Sequence, residues 1–378
     1  MKKKLKITFI IDILDSNLGG TENQLIKMVN GLSGKGHDVE LICFYNHPWF
    51  EANAATLNCI ARVIAINKFK KAHTYYNFLK LVSHLRKTKP DIVHTFFPIG
   101  NILGVLAAKL AGVKTIISSR RDYGEWMRGP YLFTTKIANR FATKIIANSL
   151  LVKELTQKKE KVAENKIDVI LNGIDTAPFL NNKPDLDLKR KLNIPESSKV
   201  VGIIANFRPM KHHYAFVKAS AEILKTRSDV EFILVGGEGG QLRNKIEMLA
   251  QSLSISDKMH FVGVQKNVIP YLSIMNVGVN CSEGEGLSNA IMEYMVSGVP
   301  AVVSNGGGNP DLITHDVNGY VFKVDDHKSL ASYTLQLLAD SVTCERFTAN
   351  AFKKIVKEMS LDAMLSKYEN YYARLANV

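Results

Sequence analysis

Short runs of apolar, largely β-branched residues alternate with amphipathic stretches along most of the chain. The first series of such runs falls at residues 6–14, 39–44, 91–97, 115–119, 144–148 and 168–171, and each is predicted to be a strand. A second series falls at 199–205, 230–235, 259–262, 277–281, 300–304 and 320–322. Helical periodicity fills the intervals, beginning with residues 22–33 after Gly19-Gly20. Strands that are apolar throughout, rather than on alternate positions, belong to parallel sheets covered by helices on both faces. Asn181, Asn182, Pro184 and Pro195 break the rhythm over 177–198, which reads as a linker. Everything after about residue 340 reads as helix.

A chain of 378 residues exceeds the size at which one core keeps growing. The two series therefore predict two doubly wound α/β domains. Ligands of such sheets bind beyond the carboxyl ends of the strands. The loops at those positions are rich in glycine and charge: Gly19-Gly20, Asn172-Gly173, Gly236-Gly237, residues 284–286 and residues 306–308. Two such domains facing each other would hold a ligand in the cleft between them.

Composition changes this picture in one respect. The net charge of +14 is concentrated in residues 1–175, which hold 27 Lys and Arg against 14 Asp and Glu. The remainder is close to neutral. The first half is thus expected to meet an anionic partner: nucleic acid, an acidic membrane surface or an anionic substrate. Cys43, Cys59, Cys281 and Cys344 are far apart and form no CxxC pair, which points to a reduced, cytosolic protein without a zinc site or disulfide frame. Lys2 to Lys4 before an apolar run imitates a signal peptide, but Asp12 and Asp15 cut that run short and no small-residue cleavage site follows. No apolar run reaches the roughly 20 residues needed to span a bilayer.

The stretch from Ser282 to Glu293 carries most of the candidate chemistry. It sets Glu285 and Glu293 eight positions apart across a glycine-containing loop and the start of a helix. At helical rise that interval covers about 12 Å, roughly the span of a nucleotide-sugar from sugar to ribose. A helix N-terminus adds unpaired amides and a positive dipole end suited to phosphate. The competing reading is a buried amphipathic helix with Glu293 on its solvated side.

Six pieces, in order, carry a family resemblance: Gly19-Gly20-Thr21-Glu22, Asp91-Ile92-Val93-His94, Asn172-Gly173-Ile174-Asp175, Arg208-Pro209-Met210-Lys211, the Glu285 to Glu293 segment, and Ser297-Gly298-Val299-Pro300. Over about residues 1–340 the chain resembles the retaining glycosyltransferases of family 4 (the group 1 glycosyltransferases). The resemblance implies the α/β architecture called GT-B, two doubly wound Rossmann-like domains facing across a cleft. Residues 1–176 would form the acceptor-side domain and 177–360 the nucleotide-sugar domain, with a C-terminal helix, about 361–378, packing back on the first. It implies that Arg208, Lys211 and Glu285 serve catalysis, the two cations stabilising a departing nucleoside diphosphate. Gly19, Gly20, Gly286, Leu287, Ser288 and Glu293 would bind the donor, Glu285 meeting the sugar hydroxyls and Glu293 the ribose.

Three departures from the family pattern stand out. Asn206 occupies a position where the family often has Arg, so Arg208 is expected to take over the diphosphate contact. Ser118-Ser119-Arg120-Arg121-Asp122 lacks the His that many relatives carry there. Arg cannot act as a base, so Arg121 either stabilises the transition state or binds an anionic acceptor. Arg120, Arg121 and Asp122 are the acceptor-side candidates, with Glu125 as a further carboxylate. Finally, residues 306–308 keep a glycine loop, but Asp311 follows where a Glu is usual. Asp185-Leu186-Asp187 imitates a metal motif of another fold and is read as chance, and no metal or cofactor is expected.

Residues 68–87 are basic and aromatic, with Phe78, Leu81, Val82 and Leu85 at helical spacing as a core face. The outward Lys and Tyr side chains suit either plain solvent or an anionic lipid surface.

The expected activity is hexose transfer from a UDP-linked nucleotide-sugar to a hydroxyl of a saccharide or lipid-linked saccharide in bacterial surface polysaccharide biosynthesis. The protein would act in the cytoplasm, peripherally on the inner face of the membrane. A nucleotide-sugar epimerase of the same two-domain architecture is the alternative. A nicotinamide enzyme fits less well, since Gly19-Gly20 does not complete GxGxxG, and no nucleic-acid recognition motif is present.

Overall fold

In the computed structural model, residues 4–16, 19–66, 72–124, 128–180, 183–237 and 240–377 are described. The chain divides into two compact units, Met1–Gly173 with Leu361–Val378, and Ile174–Ser360.

The first unit is built on seven parallel strands: β1 (Lys6–Ile11), β2 (Asp38–Cys43), β3 (Ile60–Val63), β4 (Ile92–Thr95), β5 (Thr115–Arg120), β6 (Lys144–Ala147) and β7 (Ile167–Val169), in the order β3-β2-β1-β4-β5-β6-β7. Alternate residues of β1 feed two cores. Ile7, Phe9 and Ile11 pack with Leu25, Met28 and Leu41 on one face. Ile10 packs with Ile42, Leu81, Leu85 and Val105 on the other. That is why the strand reads as continuously apolar. β3 escaped the sequence reading for the opposite reason: it is an edge strand, with Ile60 exposed and Arg62 paired to Glu40 at 2.8 Å.

The second unit has six parallel strands: β8 (Lys199–Ile204), β9 (Val230–Val235), β10 (Met259–Gly263), β11 (Val277–Asn280), β12 (Ala301–Ser304) and β13 (Tyr320–Phe322), ordered β10-β9-β8-β11-β12-β13. Strand order reverses between β1 and β4 in one sheet and between β8 and β11 in the other, the two switch points at which such sheets bind ligands.

The predicted linker is more structured than its composition indicates. It contains the helix Leu186–Lys191, whose first turn is capped by Asp185, the Oδ1 accepting from the Leu188 amide at 2.9 Å. Capping accounts for an Asp at the head of the metal-like tripeptide. The helical tail is broken once. After Ser341–Lys354 and a wide turn at Ile355–Met359, Ser360 is extended (φ −60°, ψ 154°). There it pairs with Ile174, whose amide donates to Met359 O at 2.8 Å. The chain thus enters and leaves the second unit at adjacent points.

The helix Leu361–Leu375 belongs to the first unit, burying Met364, Leu365, Tyr368 and Tyr372 in its core. Tyr372 Oη lies 2.6 Å from His94 Nδ1, and His94 Nε2 lies 2.8 Å from Ser119 Oγ. Burial, reinforced by the charge of Arg121, holds this imidazole well below its ordinary pKa. His94 is a neutral core residue that joins β4, β5 and the last helix.

Candidate active site

At the switch point of the second unit, β8 leads into Asn206, Phe207 and Arg208, then a tight turn, Pro209–Lys211. Lys211 Nζ pairs with Glu285 Oε1, and both side chains are largely buried. Glu285 also accepts from Ser282 Oγ, and from Asn280 Nδ2 at 3.5 Å. Burial alone would raise the pKa of this carboxyl. The charge and hydrogen bond of Lys211, with those of Ser282 and Asn280, outweigh it and hold the group below the usual range. Glu285 is therefore ionised at neutral pH.

The loop that carries Glu285 is held from beneath. Asn280 Oδ1 accepts from the Ser282 amide at 3.0 Å and from Asn309 Nδ2 at 3.1 Å, while its Nδ2 donates to Ser288 Oγ at 3.1 Å. Asn280 and Asn309 were not singled out from sequence. The available signal was an amide ending an apolar strand, Val277-Gly278-Val279-Asn280. Gly306 is required by close approach: a Cβ there would lie 2.3 Å from Ser282 O and 2.6 Å from Glu283 O. The Gly308 amide then donates to Glu285 O at 2.9 Å.

Ser288 precedes the helix Asn289–Val296 without capping it by its side chain, because its hydroxyl is engaged by Asn280. Gly286, Leu287 and Ser288 are buried and lead directly into that helix N-terminus. Glu293 is half-buried on the same helix. The interval from Glu285 to Glu293 is thus half loop and half helix, so the helical-rise estimate of its span does not apply to all of it. Tyr294 faces the core, accepting from the Ile204 amide at 2.9 Å and donating to Val279 O at 3.1 Å, which pins β8 to β11.

Arg208 is exposed just ahead of the turn. Asn206, at the first departure from the family pattern, accepts from the Gly237 amide at 3.1 Å and ties the loops after β8 and β9 together. Asp311 is half-buried in the short helix Asn309–Leu312.

In the first unit, Thr21, Phe97, Asn101, Ser119, Arg120, Arg121 and Asp122 line a small depression beyond β1, β4 and β5. Gly19 and Gly20 adjoin it from the start of the helix Gly20–Gly34. Gly19 is extended at φ −65°, ψ 138°. Phe97, in contrast, is a non-glycine residue at φ 62°, a conformation held by its surroundings. The adjoining segment is tied down by Asp12, whose carboxylate accepts from the Ile99 amide at 2.9 Å and from the Gly100 amide. Burial raises Asp12 to about 7 despite those bonds.

The two adjacent arginines differ. Arg120 is buried and fully engaged: Nε and Nη2 donate to Glu160 at 2.8 Å each, and Nη1 to Ser118 Oγ at 2.7 Å. Its guanidinium is committed to these buried partners, although the residue also borders the depression. Arg121 is half-buried, donates through Nη2 to Asn172 Oδ1, and lies 5.9 Å from the Phe96 ring centre. Its Nε is buried and meets no acceptor among the described residues. Asp122 is exposed and accepts from the Gly124 amide at 2.8 Å. Glu125 lies outside the described residues, as do Lys68 to Lys71 of the basic stretch.

The sequence model described as "Glycosyl transferases group 1" matches residues 185–354, and that described as "Glycosyltransferase Family 4" matches residues 18–178. The chain belongs to this glycosyltransferase family. The glycosyltransferase is 26% identical over 370 residues, 94% of each chain, to the UDP-Gal:alpha-D-GlcNAc-diphosphoundecaprenol alpha-1,3-galactosyltransferase of Escherichia coli. It is likewise 26% identical to the N-acetyl-alpha-D-glucosaminyl L-malate synthase of Bacillus anthracis, over 98% of this chain and 97% of that one. Its fold matches Anabaena HepE, solved in complex with UDP, at a TM-score of 0.86 with 18% identity, over 98% of this chain and 100% of that one. The likeness at that identity establishes the GT-B fold of the glycosyltransferase.

Proposed function

We propose that this glycosyltransferase moves a hexose from a UDP-linked donor to a hydroxyl of a saccharide or lipid-linked saccharide, with retention of anomeric configuration. The observation that carries the proposal is the Lys211–Glu285 pair at the switch point of the second unit, beside a helix N-terminus with no side-chain cap. Lys211, Arg208 and the amides from Gly286 to Ser288 would receive the charge that develops on the departing diphosphate. Those cations can supply that stabilisation without a metal ion. Glu285 would accept from donor-sugar hydroxyls and Glu293 from the ribose. In a front-face attack, the leaving phosphate oxygen takes the acceptor proton, so the protein contributes positioning and charge rather than a covalent nucleophile. The Escherichia coli relative, whose name specifies UDP-Gal and a diphosphoundecaprenol acceptor, favours UDP and a lipid-linked acceptor.

The test is thermal melting with UDP, GDP, ADP, their sugars and NAD(H). A ligand at a hundred times its Kd adds about 2.7 kcal/mol, a rise of roughly 5–10 °C. UDP and a UDP-sugar are expected to give that rise, and Glu293→Ala to diminish it. A rise with NAD(H) alone would overturn the reading. An epimerised nucleotide-sugar formed without acceptor would favour the epimerase instead.

An anionic lipid surface is the proposed location of the acceptor. The first unit holds 29 Lys and Arg against 15 Asp and Glu, the second 20 against 20. On the helix Ala72–Thr88, Tyr75, Tyr76 and Leu79 are about two-thirds exposed, alongside exposed Lys80, Arg86 and Lys87. Neighbouring helices add exposed Leu110, Tyr131 and Phe133. Among the described residues no helix is long and apolar enough to cross a membrane. Each basic residue near an anionic surface contributes about 1 kcal/mol, so Lys80→Glu with Lys87→Glu should weaken binding to anionic vesicles by at least about tenfold. Equal binding of the unaltered protein to neutral and anionic vesicles would exclude this location.

A further inference from the structure

His212 stands between Lys211 and the helix His213–Leu224, and no part of the proposed chemistry uses it. Its ring is held from two directions. Nε2 lies 2.9 Å from Glu283 Oε2, and Nδ1 lies 2.7 Å from Asp325 Oδ1. A neutral imidazole has one N–H donor, so one of its nitrogens would present a lone pair to a carboxylate. Facing two carboxylates, the ring fits its doubly protonated form. The three residues lie in the loops after β8, β11 and β13, and two of them are non-glycine residues with left-handed backbones, His212 at φ 49° and Asp325 at φ 66°. Such conformations persist where the surroundings over-determine them.

The neighbouring contacts show what this arrangement holds. The Glu283 amide donates to Met210 O at 2.9 Å, and Lys211 pairs with Glu285. The loops after β8 and β11 therefore meet at three consecutive residues: Met210 through the backbone, Lys211 through Glu285, and His212 through Glu283. His212 extends the connection to Asp325. We infer that His212, as an imidazolium, is the positioning residue that fixes Lys211 against Glu285 by clamping the loops after β8, β11 and β13. The inference rests on the proposed role of Lys211 at the donor diphosphate.

The titratable and charged groups around the clamp are few. Glu283 and Asp325 face the ring, and Lys211 adjoins it with its charge engaged by Glu285. On the following helix, His213 is stacked on Phe207 and pushed down by burial to about 4, so it stays neutral through the relevant range. Asp326 is occupied in capping the helix His327–Ala339. Burial by itself would lower the pKa of His212, but the hydrogen bonds and charges of Glu283 and Asp325 prevail and raise it. A raised folded value means the clamp is fully formed below the ordinary His pKa and is released as pH rises through the folded value.

The decisive experiment follows the His212 ring by NMR across pH in the full chain, alongside calorimetric titration with UDP and with GDP. His212 is expected to titrate above its ordinary value of about 6.5, and Asp325→Asn to bring that value down. Nucleotide affinity should weaken about three- to tenfold from about pH 7 to about pH 9, beyond the change in His212→Asn, whose amide tolerates the left-handed backbone. His212 titrating at or below its ordinary value, or identical pH dependence in the unaltered protein and His212→Asn, would overturn the inference. A raised His212 titration with no binding of either nucleotide at any pH would leave the clamp standing and remove the donor reading of the site.

Discussion

Lys211→Ala is expected to lower kcat by about 10²–10³-fold, the cost of removing one preorganised charge from a developing oxyanion. Donor KM should change less, because the diphosphate carries more charge on its leaving oxygen in the transition state than in the ground state. The same substitution acts on Glu285. Without the ammonium, the carboxyl loses both the charge and the hydrogen bond of Lys211 that lower its pKa against burial, so its pKa rises from the depressed value it now has. The low-pH limb of activity should accordingly move upward. Glu285→Gln should be comparably inactive. The double variant should be no worse than either single change, since the two groups act as one unit. The measurement is initial-rate release of nucleoside diphosphate in the presence of an acceptor. A loss below about tenfold in Lys211→Ala would show that the diphosphate charge is met elsewhere, with Arg208 as the first group to examine.

Much of the framework around this pair was legible in the sequence because burial on both faces leaves a strong signal. β1 is apolar at most positions since Ile7, Phe9 and Ile11 enter one core and Ile10 another, and β9 is buried along its whole length. The edge strand β3 has no such constraint, and its exposed Ile60 and ion-paired Arg62 hid it. The candidate site was legible where its residues are close in the chain, as in the segment from Ser282 to Glu293. It was not legible where a side chain's role depends on a distant partner. His212 was not singled out from sequence, since its partners lie 71 and 113 residues away. Arg120 and Arg121 read as a single basic turn. Period-two alternation at the end of β5 commits one guanidinium to a buried glutamate 40 residues on and leaves the other half-buried, while both residues border the depression.

That separation has a measurable consequence. The Glu160 side chain is fully buried and that of Arg120 is 2% exposed. Arg120→Met would leave the carboxylate in the interior with Asn139 Nδ2 as its remaining donor among the contacts described here. Breaking a buried pair by removing one member costs about 3–5 kcal/mol, and for a unit of this size the melting temperature should fall by roughly 10 °C. Arg120→Met with Glu160→Leu removes both charges and should recover most of that loss, because two well-packed apolar side chains can replace a buried pair at little net cost. Arg121→Met is expected to behave in the opposite way. It removes a half-buried cation that lines the depression, so the melting temperature should hold while use of an anionic acceptor declines. UDP binding at the second unit should be unaffected in both variants. If Arg120→Met instead kept its melting temperature and lost acceptor use, its guanidinium would have to leave Glu160 during turnover, and the core assignment would fail.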